Sequence, residues 1–277
     1  MTQATKDLRS HLHGMWSAVA PSWAEHATYA DARGAEVGER MLELTAVGRG
    51  DRVLELACGP GGLGRAAAAR GADVVLSDVA AEMTAIALER ADGLHNVEGR
   101  VLDVEDIDEP DESYDVVLCR EGLMFAADPA RAAAEIRRVL RPGGRLAVAV
   151  WGLRERNPWL GLVFDAVAAQ LGRQVPPPGG PGPFSLADGL DTLLAEAGFA
   201  DVTVGELAVP LRAGSFDEWW ARTTALAGPL AAILPSLPDA ARAALRSRLH
   251  EATRAYRTPS GGLELPGVSL VAAARRP

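Results

Sequence analysis

The sequence predicts an α/β fold, a doubly wound and mostly parallel sheet, and three observations predict it. Short β-type runs recur at regular intervals: RVLEL at 52–56, DVVLS at 73–77, VEGRVL at 97–102, YDVVLC at 114–119 and RLAVAVW at 145–151. Alanine-rich helical segments separate them. Most of the runs are continuously apolar rather than alternating, which is how strands buried on both faces read, and parallel neighbours need a crossover of helical length.

The elements follow in order. Residues 1–46 form an N-terminal helical cap in two pieces, with a break expected near Pro21 and with Val37, Met41, Leu42 and Leu44 as the apolar face of the second. The core follows at 47–207. Its most legible helix is capped by Asp128, has Pro129 in first position, turns Ala132, Ile136 and Leu140 to one face, and stops at Arg141-Pro142-Gly143-Gly144. Past Trp151 come a helix over about 158–172, the loop PPPGGPGPF, a helix opened by Ser185 and Asp188 as a capping box and closed by Gly198, and a sixth strand near 201–207. A seventh strand is expected at Val268–Ala273, within a last segment at 265–277. Residues 208–264 before it are read as an insertion, helical over 214–257, with Trp219, Trp220 and the apolar stretch Leu226–Leu237.

Composition narrows the function. With 277 residues, 48% of them hydrophobic, the chain suits one large domain with an insertion. The balance of 28 basic against 37 acidic residues, a net charge of −9, offers no electrostatic footprint for nucleic acid or an anionic membrane. Cys58 and Cys119 are too few for a disulfide framework and lack zinc-site spacing. The opening MTQATKDLRSHLHG has no apolar core, and the run Leu146–Leu153 is too short to span a bilayer, so a cytoplasmic protein is expected.

The chemistry starts where RVLEL runs into Ala57-Cys58-Gly59-Pro60-Gly61-Gly62-Leu63-Gly64. A tight turn from strand to helix needs glycine where the backbone meets a ligand or takes positive φ, which selects Gly59 and Gly61. The string also satisfies the dinucleotide pattern G-x-G-x-x-G, so the glycines alone do not separate a nicotinamide enzyme from other nucleoside binders. Glu55 favours a ligand with a cationic end, because a pyrophosphate gains nothing from a carboxylate there. Pro60 removes a backbone donor that a phosphate cradle would use. Asp78 ends the second strand, where a carboxylate can accept from two ribose hydroxyls. The third strand ends at Asp103-Val104-Glu105-Asp106, with an acceptor for an amino group of a base while Val79 and Met83 flank the ring.

In order and spacing, VLELACGPGG, SDVAAEM, VLDVEDID, YDVVLCREGLMF and RRVLRPGGRLAVAVWG resemble the class I S-adenosylmethionine-dependent methyltransferases, particularly the branch similar to ubiquinone and menaquinone biosynthesis methyltransferases. The resemblance covers roughly residues 15–207. It implies a Rossmann-like sheet of seven strands whose last strand is antiparallel, with S-adenosylmethionine as donor and S-adenosylhomocysteine as product. By it, Glu55 and the loop Ala57, Cys58, Gly59 and Gly61 hold the methionine end, Asp78 the ribose, Val79 and Met83 the adenine faces, and Asp103 and Val104 its edge. Arg120 lies near the donor's carboxylate or sulfonium. Trp23 stands at a donor-contacting position where the family frequently has tyrosine, and Ala57 where it usually has glycine. The insertion becomes a lid over the acceptor.

Methyl transfer asks the protein mainly for placement, worth roughly 7 to 11 kcal/mol of barrier in well-oriented systems. A base is needed only for a protonated acceptor, and His26 and Glu121 are the candidates, His26 against the alternative of a cap histidine bonded to backbone. Trp16, Trp23, Trp219 and Trp220 either line an apolar acceptor pocket or pack the cap onto the core. Cys58 reads as a small buried packer, and Asp106, Asp108, Asp111 and Glu112 as a solvated loop rather than a metal site. The leading reading is methyl transfer to an oxygen, nitrogen or carbon nucleophile of a small, partly apolar metabolite. A nicotinamide oxidoreductase and a donor-binding regulator or non-methylating catalyst are its rivals, and homodimerisation is left open.

Overall fold

The computed structural model describes residues 3–277, so the first two positions of the expected cap lie outside the described residues. Two helices lead, α1 (Gln3–Glu25) and α2 (Ala27–Leu44). The core then alternates β1 (Arg52–Leu56), α3 (Gly62–Ala69), β2 (Asp73–Asp78), α4 (Ala81–Arg90), β3 (Val97–Val101), β4 (Tyr114–Arg120), α5 (Pro129–Val139) and β5 (Leu140–Trp151). After these come α6 (Pro158–Leu171), α7 (Leu190–Glu196), β6 (Ala200–Ala208), β7 (Leu211–Ala213), α8 (Phe216–Leu226), α9 (Gly228–Ile233), α10 (Asp239–Ala252), β8 (Leu263–Leu265) and β9 (Val268–Arg275).

Seven strands form one sheet in the order β3-β2-β1-β4-β5-β9-β6. Neighbours from β3 to β5 are parallel, and β9 lies antiparallel between β5 and β6. The expected seven-stranded, Rossmann-like architecture is therefore present. Strand order reverses between β1 and β4, and in open α/β sheets the crevice beyond the carboxyl ends of the strands at such a point is where ligands bind. The apolar runs of β1, β4 and β5 are buried as their continuous hydrophobicity requires, whereas β3 and β6 at the edges are largely exposed and carry charges such as Glu98, Arg100 and Glu206 that discourage edge pairing.

Local sequence rules hold at several ends. The Asp128 carboxylate accepts from the Arg131 N–H at 3.0 Å, capping α5 with Pro129 just inside. Other expectations need correction. The cap does not break at Pro21: α1 runs through it and the chain turns at His26. A proline deletes one helical hydrogen bond, and here Val19 and Ala20 pack on Ala80 and Met83 of the α4 entry, with Trp23 and Ala231 alongside, so tertiary packing holds the turn. Ser185 and Asp188 open no helix: α7 starts at Leu190 after Gly189 at φ 84°, with no side-chain cap, while the Ser185 hydroxyl donates to the Met124 carbonyl at 2.7 Å. β5 begins at Leu140, so Arg141–Gly144 belong to the strand rather than to a stop before it. The two three-residue strands β7 and β8 were not legible. They pair antiparallel through buried Leu211, Ala213, Leu263 and Leu265, and so tie together the two ends of the helical insertion.

Candidate active site

The glycine loop leaves β1 through a run of left-handed residues, Ala57 at φ 51°, Gly59 at 50° and Gly61 at 79°. The Gly61 N–H donates to the Cys58 carbonyl and the Cys58 N–H to Ser77, both at 2.9 Å, which fastens the turn to the end of β2. A Cβ at Gly61 would stand 2.9 Å from the Cβ of Ala87, so this glycine lets α3 start hard against α4. It does not line the cavity described below. Gly59 does, and only Trp23 stands within 4 Å of where its side chain would be.

Glu55 is buried and points back across the turn, accepting the Gly64 N–H at 2.7 Å. A Cβ on Gly64 would lie 2.5 Å from that carboxylate oxygen, so the glycine makes room for the acid. Burial pushes the Glu55 carboxyl up to about 8, against the opposing pull of the Arg120 charge and the Gly64 N–H. Asp78 is buried as well. Its two oxygens each accept one backbone N–H at 3.0 Å, from Gly59 and Ala80, and burial raises it despite those bonds. Each oxygen keeps lone-pair capacity for a further donor.

These groups open on one cavity at the carboxyl ends of β1, β2 and β4, with about 1680 Å³ of empty space counted out to its mouth. One half lies at the tips of β1, β2 and β3. Glu55, Asp78, Val79, Met83, Asp103 and Val104 line it, together with Ala57, Cys58 and Gly59 of the loop. Burial pushes the Cys58 thiol well up, which suits a packer and not a nucleophile. Asp103 differs from expectation in one respect: its carboxylate is committed to α1. Arg9 and His13, one helical turn apart, both reach its Oδ2, His13 at 3.0 Å, while Oδ1 accepts the Glu105 N–H at 2.8 Å. Although burial alone would raise it, these bonds hold Asp103 down at about 2.

The other half lies beyond the end of β4. The Arg120 guanidinium donates to the Gly34 carbonyl at 2.9 Å, and a Cβ at Gly34 would overlap that guanidinium where it now lies. Glu121 follows with a left-handed φ of 60°, its N–H donating to Ala149 at 2.7 Å, and its side chain lines the cavity. Burial raises its carboxyl against the nearby charges of Arg120 and Arg33. Trp151 and Trp159 meet edge to face at 5.0 Å, and Arg33 lies over Trp159 at 4.2 Å. Sequence reasoning missed all three. Arg33 stands one helical turn after Tyr29, and Trp151 ends β5 beside the end of β4, the only signals available.

Trp16 and Trp23 line the cavity, and the Trp23 indole donates to the Leu226 carbonyl at 3.2 Å, joining cap to insertion. Trp219 is buried away from it with its indole on the Trp159 carbonyl, and Trp220 does not line it either. His26 sits at the turn between α1 and α2, outside the lining. The acidic stretch before β4 is solvent-exposed as expected, and three of its four acids also meet arginines: Arg131 reaches Asp106, Arg138 reaches Asp111 and Arg276 reaches Glu112.

Residues 54–148 match the family described as Methyltransferase domain. A demethylmenaquinone methyltransferase of Clavibacter sepedonicus is 37% identical over 99 residues, 36% of this chain and 40% of that protein. The chain spans about half the length of the curated relatives it matches. Among solved structures, the YcgJ protein of Bacillus subtilis superposes with a TM-score of 0.62 at 17% identity, covering 87% of this chain and 98% of that one. A phosphoethanolamine N-methyltransferase of Haemonchus contortus, solved with S-adenosyl-L-methionine, gives 0.56 at 20% identity, covering 87% and 52%.

Proposed function

We propose that this chain, whose residues 54–148 match a methyltransferase domain, is a class I enzyme that transfers a methyl group from S-adenosylmethionine to an oxygen, nitrogen or carbon nucleophile of a small, partly apolar metabolite. The observation that carries this is the single two-part cavity, in which the residues of the glycine turn face one end and an aromatic chamber opens at the other.

The donor-side residues fit the cofactor's chemistry. Glu55 offers a carboxylate to an ammonium, Gly59 gives side-chain-free access, Asp78 retains acceptor capacity for ribose hydroxyls, and Val79 and Met83 supply apolar faces for a base. When bound, S-adenosylmethionine supplies an electrophilic methyl carbon on a sulfonium, which becomes a neutral thioether on transfer. Glu121 is the side chain we assign to receive a proton from the acceptor, since it lines the cavity while His26 does not. The insertion covers the acceptor half, with Trp23 anchoring it to α1. The net charge of −9 disfavours a nucleic-acid acceptor, so a metabolite is the substrate class proposed; among the described residues no helix is long and apolar enough to cross a membrane.

Calorimetry with S-adenosylhomocysteine tests the donor half. Binding is expected for the native protein, with at least tenfold weaker affinity for Glu55→Gln and Asp78→Asn, the usual scale for losing a charge-assisted hydrogen bond. No association with S-adenosylhomocysteine, or tighter binding of a nicotinamide dinucleotide, sinks the assignment. Label from a methyl-labelled donor should then enter the low-mass fraction of a cell extract, and donor binding with no transfer to any acceptor would favour a non-methylating role.

A further inference from the structure

Arg33 forms no ion pair within 4 Å among the described residues. It projects from α2 into the acceptor half, where the faces of Trp159 and Trp151 hold its guanidinium at 4.2 and 5.1 Å from the ring centroids. Its Nη2 is shielded from solvent and has no hydrogen-bond partner among the described residues. A buried cation without a paired anion is unfavourable, and burial lowers the Arg33 pKa accordingly, with Tyr29 and Glu121 pulling the other way. Proteins keep such a group where an incoming anion completes it, and the planar guanidinium fork matches a carboxylate.

The other two arginines that line this cavity near Arg33 have partners. Arg222, on α8, is paired with Glu218 and stacks on Tyr29 at 4.1 Å. Arg120 lies on the other side of Gly34, bonded to that carbonyl, and its charge acts on buried Glu55 at the glycine turn, which places it with the donor. Glu121 feels the charges of both Arg120 and Arg33 and forms no ion pair within 4 Å among the described residues. Arg33 is thus the cation of the far wall, next to indole faces and to apolar Leu160 and Phe164.

We propose that the acceptor is a flat, apolar molecule bearing a carboxylate, which Arg33 receives while the ring system lies along Trp151 and Trp159 with its nucleophile turned toward Glu121 and the glycine turn. The inference rests on the methyltransferase reading and names the substrate class of the same site. The indoles give a direct readout. The test uses the full chain saturated with S-adenosylhomocysteine and titrated with 2-naphthoate or its neutral isostere 2-naphthamide, followed by tryptophan quenching and calorimetry.

Naphthoate is expected to bind at least tenfold more tightly than the amide. Arg33→Gln should remove that preference and leave S-adenosylhomocysteine affinity within twofold of the native value. Equal or undetectable affinity for both probes in the native protein overturns the proposal. So does a variant that loses S-adenosylhomocysteine while keeping the naphthoate preference, since Arg33 would then serve the donor's own carboxylate. Should Arg33→Gln fail to fold, the comparison of acid with amide on the unaltered protein decides by itself. Failure of S-adenosylhomocysteine to bind at all is read in the first titration and strikes the methyltransferase reading separately, taking this inference with it.

Discussion

Ala57 adopts φ 51° at the start of the glycine turn, a conformation that costs an L-residue roughly 1–2 kcal/mol. Its methyl group is accommodated by Gly122, where an added Cβ would overlap it. The two positions therefore share one space. Gly122→Ala should destabilise the protein by about 1–3 kcal/mol through overpacking, and adding Ala57→Gly should recover most of that loss. Urea unfolding of the two single variants and the double variant checks it, and additive losses would show that the sites are independent. At Glu55 the charge state is the issue. Its carboxyl rises from an ordinary 4.5 to about 8, so between these values the folded protein holds a proton that the unfolded chain has released. Glu55 therefore makes stability fall as pH rises from about 4.5 to 8 and is neutral in effect below that window. A bound ammonium favours the carboxylate, so donor or product binding at pH 7 should expel a proton. Calorimetry in buffers of different ionisation enthalpy reads this directly, with the release absent in Glu55→Gln.

Helix α1 is the element whose role changed most between sequence and structure. Read along the chain it is the first piece of a helical cap. In the fold it is clasped to the end of β3, through Arg9 and His13 on Asp103, 94 residues from Arg9. Asp103 is held at about 2, below its ordinary 3.8. The sign follows: this stabilisation is whole above about pH 4 and is lost as pH falls through about 2, on the order of 2 kcal/mol in all. Asp103→Asn should remove a similar amount at neutral pH. Hydrogen exchange should then quicken across α1 while β1, β4 and β5 keep their protection, and uniform loss of protection would contradict a local clasp. α7 and the β7–β8 pair show the opposite limit of local reading. A three-residue strand has too few positions for a period, and Ser185 is drawn to the Met124 carbonyl instead of capping a helix.

At the scale of the whole molecule, β9 completes the sheet between β5 and β6, antiparallel to both, and its two neighbours come from opposite sides of the α6–α7 segment. What the sequence determined by itself is everything with a short-range cause: the limits of β1 and β2, the Asp128 cap, the left-handed glycines, and the two acids Glu55 and Asp78 at the strand ends. Hydrophobic period, turn chemistry and capping act over a few residues, so they are written in adjacent letters. Only the tertiary structure decided that α1 spends Asp103 on an ion pair, that His26 stays outside the cavity, and that Arg33 stands against Trp151 and Trp159 without an anion of its own. Such contacts join residues that become neighbours only after the strands have taken their order, and the charge left uncompensated there is a property of the closed chamber rather than of any segment that builds it.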